Sequence, residues 1–157
     1  MADLLSYLRS SVPPHKVFPG NEPDYPSIRD DGSIRLLATN ARIYGPTLVF
    51  EQPYRNLGFW SSVEDRAVWT IRVPKAGRYE VTLDYACATE AAGNRFIIQV
   101  AGQSVGGVVP GTGSWDEYGW HDAGFVQLEA GEHELILRSD GPLQGPLLDL
   151  RGIVLSL

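Results

Sequence analysis

With 157 residues the chain fits one domain with room for a short appendage. Its 17 Gly and 11 Pro, beside 43% apolar and 20% charged residues, point to a turn-rich, all-β protein. The 13 Lys and Arg are scattered among 19 Asp and Glu for a net charge of −6, which argues against nucleic acid and against an anionic membrane, because both draw affinity from clustered basic side chains. The single cysteine excludes an internal disulfide and a cysteine-based zinc cluster, and no apolar run approaches the roughly 20 residues of a membrane span.

In residues 1–10, Leu4, Leu5 and Leu8 fall at helical spacing, with Asp3 early and Arg9 late as the helix dipole favours. They predict one short helix that needs a surface to pack on, and the start has none of the segments of a signal peptide. Residues 11–33 are rich in Pro, Asp and Gly without a period and predict an irregular linker along a surface, pinned by Val17, Phe18 and Tyr25. From 34 to 157 short apolar segments separated by turn signals predict a β-sandwich. Two pieces flank Gly45-Pro46. In DRAVWTIRVP, Ala67, Trp69, Ile71 and Val73 share a face, and Pro74 to Gly77 make a turn. Tyr79, Val81, Leu83 and Tyr85 then alternate with Glu80, Thr82 and Asp84, which directs Cys87 into the core as a small hydrophobe. Phe96, Ile98 and Val100 repeat the pattern, as do Val126 with Leu128 and Leu135 with Leu137, and LLDLRGIVL closes the sheet. Asp149 is the misfit there, a carboxylate in an apolar run that needs a partner if buried.

The stretch VPGTGSWDEYGW sets Trp115, Tyr118 and Trp120 in glycine-rich sequence that reads as a loop. Aromatic faces beside amides and carboxylates suit a sugar, whose C–H face is apolar and whose rim is hydroxyl; the same rings can instead cap a sandwich core with their polar atoms in water. Catalytic patterns are missing. No Ser occupies a GxSxG elbow, and His15, His121 and His133 have no metal-ligand spacing. Asp116 with Asp122, or Glu51 with Asp65, read as solvated turn carboxylates and not as a glycosidase pair.

The succession NLGFW, VPKAGRYEVTLDYAC, VPGTGSWDEY, LEAGEHELIL and LLDLRGIVL resembles carbohydrate-binding modules of the family-6 and family-35 type. That resemblance implies a jelly-roll β-sandwich of the galactose-binding-like superfamily over roughly residues 36–157. More narrowly, the chain resembles modules C-terminal to a cytochrome c domain in planctomycete haem-binding dehydrogenase-like proteins. DLLSYLRS is similar to the last helix of such a cytochrome, so residues 1–10 would be the remnant of a preceding domain, although no CxxCH is present to hold haem.

The resemblance implies a cleft between an aromatic after the N-x-G motif, Phe59 or Trp60, and Trp115 with Tyr118 behind it and Trp120 nearby. Leu147 stands where relatives carry a sugar-orienting asparagine, leaving Asn56, Asp116, Glu117 and Gln144 as candidates for hydroxyl contacts. It also implies a structural calcium, with Asp149 at the last ligand position and Glu51 near the second; Ala41-Arg42 replaces the first pair. An Arg42–Asp149 ion pair in place of the metal is the expectation, with calcium on Glu51 and Asp149 as the alternative. No other cofactor is required. The resulting functional expectation is a non-catalytic module that targets a larger, extracytoplasmic parent protein to polysaccharide or oligosaccharide. The alternative is a structural sandwich that docks on neighbouring redox domains, with the aromatics as protein anchors.

Overall fold

Two runs of strict alternation set the architecture. Ala67, Trp69, Ile71 and Val73 are all buried, as are Tyr79, Val81, Leu83 and Tyr85, while the residues between them are more exposed, so each run has one face committed to a core. The two runs lie in different sheets and face each other. The computed structural model describes residues 14–157; the helix expected over 1–10 and the first linker residues lie outside the described residues. Twelve strands follow along the described chain: β1 (Ser27–Ile28), β2 (Ile34–Leu37), β3 (Arg42–Tyr44), β4 (Val49–Glu51), β5 (Asn56–Gly58), β6 (Arg66–Val73), β7 (Gly77–Ala86), β8 (Arg95–Val100), β9 (Gln103–Val108), β10 (Tyr118–Leu128), β11 (Gly131–Ser139) and β12 (Asp149–Ser156).

A five-stranded sheet runs β3-β6-β11-β8-β9. The seven-stranded sheet is organised by β12, which pairs β7 along one edge and shares the other between β2 and β5; β7 continues to β10, β2 to β1 and β5 to β4. Every pairing within these sheets is antiparallel. The chain is thus the expected all-β jelly-roll sandwich. The large buried aromatics have their polar atoms satisfied by backbone carbonyls, as burial requires. Trp69 Nε1 donates across the core to Leu37 O (2.8 Å), Tyr79 to Lys75 O (2.6 Å) and Tyr85 to Pro110 O (2.8 Å). Cys87 is fully buried, and burial pushes its thiol up to about 11, in keeping with a packing role.

The linker lies along the surface of the sandwich. Its described part is a strap held by hydrogen bonds: Lys16 N donates to Ile43 O and Glu22 N to Thr39 O (both 2.8 Å), and Asn21 Nδ2 donates to Thr39 O and Ala41 O. Tyr25 is sandwiched by the Arg72 guanidinium, 3.6 Å from its ring, and donates to Glu132. Ser27–Ile28 then pair with β2. Two residues are too few to show a period, which is why the sequence reads as irregular there. Phe18 packs against the core, but Val17 is 82% exposed and pins nothing.

At one end of the sandwich the chain is organised around Asp65, which is fully buried. It accepts hydrogen bonds from the amides of Thr47, Leu48, Ser61 and Ser62 (2.9–3.2 Å) and from the Thr47 hydroxyl. Burial, the largest single influence, pushes its pKa up, but the Thr47 side chain and the Thr47, Leu48 and Ser62 amides together hold it below the usual carboxylate range. Trp60 Nε1 donates to Asp65 O (3.3 Å). Asp65 is therefore a structural carboxylate and forms no pair with Glu51.

Asp65→Ala leaves several buried donors unpaired and is expected to cost about 3 kcal/mol, lowering the melting temperature by roughly 6–12 °C at pH 7. Because the folded pKa is depressed, this stabilisation is complete above the unfolded value of about 4 and is lost as the pH falls through the folded one. Urea unfolding of wild type and variant should therefore converge in acid, and a deficit that is the same at pH 3 and pH 7 would refute the assignment.

Candidate functional site

The site residues follow from register on the outer face of the seven-stranded sheet. Three rows cross it. Tyr118 of β10, Ala86 of β7 and Asp149 of β12 form the first; Trp120, Asp84, Gly152 and Leu37 of β2 the second; Asp122, Thr82, Val154 and Arg35 the third. Gly152 has no room for a side chain, since a Cβ would lie 2.7 Å from Leu36 O. The second row is consequently low in the middle and high at its ends. The result is a groove of about 210 Å³ with Gly152 and Val154 in its floor and Trp120, Arg35, Arg55 and Arg151 around it. Trp120 is 59% exposed.

Arg151 occupies a β-bulge, where the pairing with β7 shifts between Leu150 and Gly152, and such a bulge re-aims a side chain. Its guanidinium lies 3.9 Å over the Tyr118 ring and grips Asp84 through Nη2 (3.0 Å) and Nε (3.2 Å). It forms the wall between the groove and a second depression of about 420 Å³, whose lining includes Trp115, Asp116, Tyr118, Asn56, Glu51 and Asp149. Trp115 is partly buried against the core. The preceding loop is tied down by Thr112, whose amide donates to Cys87 O (2.8 Å) and whose hydroxyl accepts from Cys87 N (2.9 Å). Tyr118 to Trp120 are strand residues paired with β7, and not the loop expected from the glycine-rich sequence.

The second depression is acidic. Asp149 is pushed up to about 7 by burial, then by the charges of Glu51 and Asp116. Tyr118 is pushed up to about 12 by burial and the Asp149 charge, with Arg151 opposing. Asn56 is 1% exposed, and its Nδ2 donates to Glu51 Oε1 (3.2 Å) while its buried Oδ1 has no partner. Gly58 completes the cradle: a methyl there would collide with the Glu51 carboxylate and lie 3.2 Å from Asp149 Oδ1. Two carboxylates and an orphaned amide oxygen suit a hard divalent cation such as calcium. Among the described residues no three His, Cys, Asp or Glu side chains converge, so the Asn56 oxygen and water would have to complete the ligand set.

The expected Arg42–Asp149 ion pair does not form. Arg42 projects from the outer face of the five-stranded sheet, where it pairs with Glu134 (2.5 Å) and donates to Thr70 (3.1 Å), while Asp149 belongs to the other sheet. Trp60 is fully buried and caps the core, so it offers no binding face. Phe59 is 63% exposed but lines neither depression. Leu147 is in the core, its amide bonded to Trp60 O. Gln144 is held in a separate loop by Asn94, and Glu117 folds over Gly113. Phe59, Trp60 and Trp115 therefore do not line a common depression, whereas the depressions lined by Trp115 and by Trp120 share Arg151 as a wall. Arg35, Arg55 and Arg151 line the groove without a signal in the sequence beyond the outward positions of Arg35 and Arg151 in apolar strands.

At the level of sequence no family profile matches the chain, and no curated protein does either. Solved structures do resemble it. A family 35 carbohydrate-binding module from Clostridium thermocellum matches with a TM-score of 0.66 at 19% identity, over 80% of this chain and 98% of that one. The C-terminal family 6 module of a marine laminarinase from Zobellia galactanivorans matches with a TM-score of 0.65 at 20% identity, over 80% and 99%. A family 6 module of lichenase 5A from Cellvibrio mixtus, in complex with cellotriose, matches with a TM-score of 0.60 at 17% identity, over 78% and 95%. The chain has the jelly-roll fold of the family 6 and family 35 carbohydrate-binding modules.

Proposed function

We propose that this chain is a non-catalytic carbohydrate-binding module whose ligand lies on the outer face of the seven-stranded sheet, and that it holds a larger, extracytoplasmic parent protein on polysaccharide. The exposed Trp120 ring beside a groove in a regular sheet carries this reading. An indole face takes the C–H side of a sugar, while Arg55, Arg151 and Asp84 supply hydrogen bonds to its rim. Trp115, Tyr118, Asp116 and Asn56 extend the surface across Arg151. Arg151 covers one face of Tyr118, so Tyr118 contributes an edge and its hydroxyl. The shared fold with modules of polysaccharide-degrading enzymes supports the reading.

The second reading, docking on neighbouring domains without sugar, draws on Phe59. Its exposed ring stands on a residue with left-handed backbone, φ 57°, outside both depressions, and suits a protein contact. Trp120→Ala is expected to weaken retention in a glycan affinity gel about tenfold or more with little change in melting temperature, while Phe59→Ala leaves retention unchanged. The opposite pattern would favour docking.

The proposal includes calcium on Glu51, Asn56 Oδ1 and Asp149. When bound, the ion supplies the countercharge that keeps Asp149 ionised beside Glu51. Without it, the raised Asp149 pKa means that the folded chain retains a proton the unfolded chain has lost between about pH 4 and pH 7. In chelator, this group's contribution to stability is expected to fall with rising pH across that window and to level off above it. At pH 8, calcium at 100 times its dissociation constant is expected to restore about 2.7 kcal/mol, or roughly 5–11 °C in melting temperature. Asp149→Asn should abolish the pH trend and the calcium response; a calcium response that survives the substitution would place the ion elsewhere.

A further inference from the structure

The groove beside Trp120 carries positive charge that the composition of an acidic chain gives no reason to expect. Most arginines of the described chain are engaged. Arg42 pairs with Glu134, Arg95 with Asp140 and Arg151 with Asp84; Arg66, Arg72 and Arg78 lie over aromatic rings, and Arg138 donates to Gln99. Arg35 and Arg55 both line the groove, and among the described residues neither guanidinium has an ion-pair partner. Arg35 stands outward on β2 in the row that ends Val154–Arg35. Arg55 enters from the turn between β4 and β5 with φ of 54°, a left-handed conformation that is unfavourable for a residue with a Cβ and that glycine or asparagine would adopt more easily. Three guanidinium groups thus face a single carboxylate, Asp84, which Arg151 already neutralises.

We infer that the groove selects anionic carbohydrate, a sugar bearing a carboxylate or a sulfate ester, with the ring on Trp120 and the anionic group held by Arg35 and Arg55. This rests on the reading of the outer face as the sugar-binding surface and names the class of sugar. Guanidinium forks match carboxylate and sulfate oxygens in bidentate fashion. The neighbouring depression offers no guanidinium other than Arg151, which Asp84 already engages, so the charged end of the ligand lies toward Arg35 and Arg55. The net charge of −6 gives no general attraction for polyanions, so selection depends on the local pair together with the indole.

The test is affinity electrophoresis of the full chain in gels containing matched glycans: methyl-esterified pectin against polygalacturonate for the carboxylate, and agarose against carrageenan for the sulfate. The charged member of at least one pair is expected to retard the protein more than its neutral partner, and which pair does so identifies the anion. Arg35→Gln combined with Arg55→Asn should remove that preference, weakening binding to the charged member about tenfold or more. Lys75→Gln combined with Arg95→Gln, the same change in net charge away from the groove, should keep it. Anion selection is overturned by equal retardation on both members of each pair, by a preference that survives the groove substitutions, by an equal loss in the control variant, or by comparable retardation on duplex DNA. Any of these with Trp120-dependent retention leaves the sugar-binding face standing, whereas no retention on any of the four glycans overturns both.

Discussion

The pairing of β12 with β7 is the constraint on which the rest of the molecule depends. It puts Ile153 and Leu155 into the core opposite Leu83 and Val81, and in the same step puts Gly152 and Val154 outward beside Asp84 and Thr82. Because side chains alternate with period two, a slip of one residue would expose the core set and bury the polar one. The free energy of burying those apolar side chains therefore also fixes which residues form the outer face. Only the bulge at Arg151 breaks the pattern in this ladder, and it does so where the groove meets the acidic depression.

A binding face on paired strands differs physically from one on loops. Trp120 is fixed by the β10–β7 ladder and Arg35 by the β2–β12 ladder, so on the proposed face little backbone ordering would remain to oppose a ligand. Even the glycine-rich stretch before β10 is fastened, through Thr112 to Cys87 and through Pro110 to the Tyr85 hydroxyl. Asp65 does the same for the turns at Thr47 and Ser61, converting two polar loops into the closed end of the sandwich. Trp60 packs beneath that closure, which is why its ring is unavailable to a ligand.

The fold was legible in the sequence wherever alternation ran for five or more residues, as in β6, β7 and β8. The turn signal Gly45-Pro46 also marked β3 and β4 on either side of it, but β1 and β5 were illegible because they are too short to have a period, as was β9, where Gln103–Val108 includes two glycines and little apolar material. At the site, Trp115, Tyr118, Asn56 and Asp149 line one depression, because Tyr118, Asn56 and Asp149 each begin a strand and Trp115 lies in the turn before β10, whereas the motifs implied a sugar cleft for the aromatics and a separate metal position for Asp149. Phe59 and Trp60 could not be told apart: the left-handed backbone at Phe59 sends one ring out and the other in, and nothing in the residue type announces it. Arg42 was misassigned for a different reason. Period two says that it points outward, but not from which sheet, and the partner it meets, Glu134, is 92 residues away.

The two halves of the outer face oppose each other in charge, and Arg151 explains how they coexist. A carboxylate in the sheet beside a groove rich in arginine would draw cations there; engaged by Arg151, Asp84 no longer does so. Arg151 in turn lays its guanidinium over the Tyr118 ring, in the wall that the two depressions share. The arginines of the groove and the carboxylates around Asn56 are thus separated by the Arg151–Asp84 ion pair. In the proposed binding mode, a ligand with polar hydroxyls at one end and a negative substituent at the other would have one favourable orientation, its charged end toward Arg35 and Arg55. Orientation in that mode would be a property of side-chain charge laid over a rigid sheet, which leaves Leu147, at the position where the resemblance implies an asparagine, to fill the core.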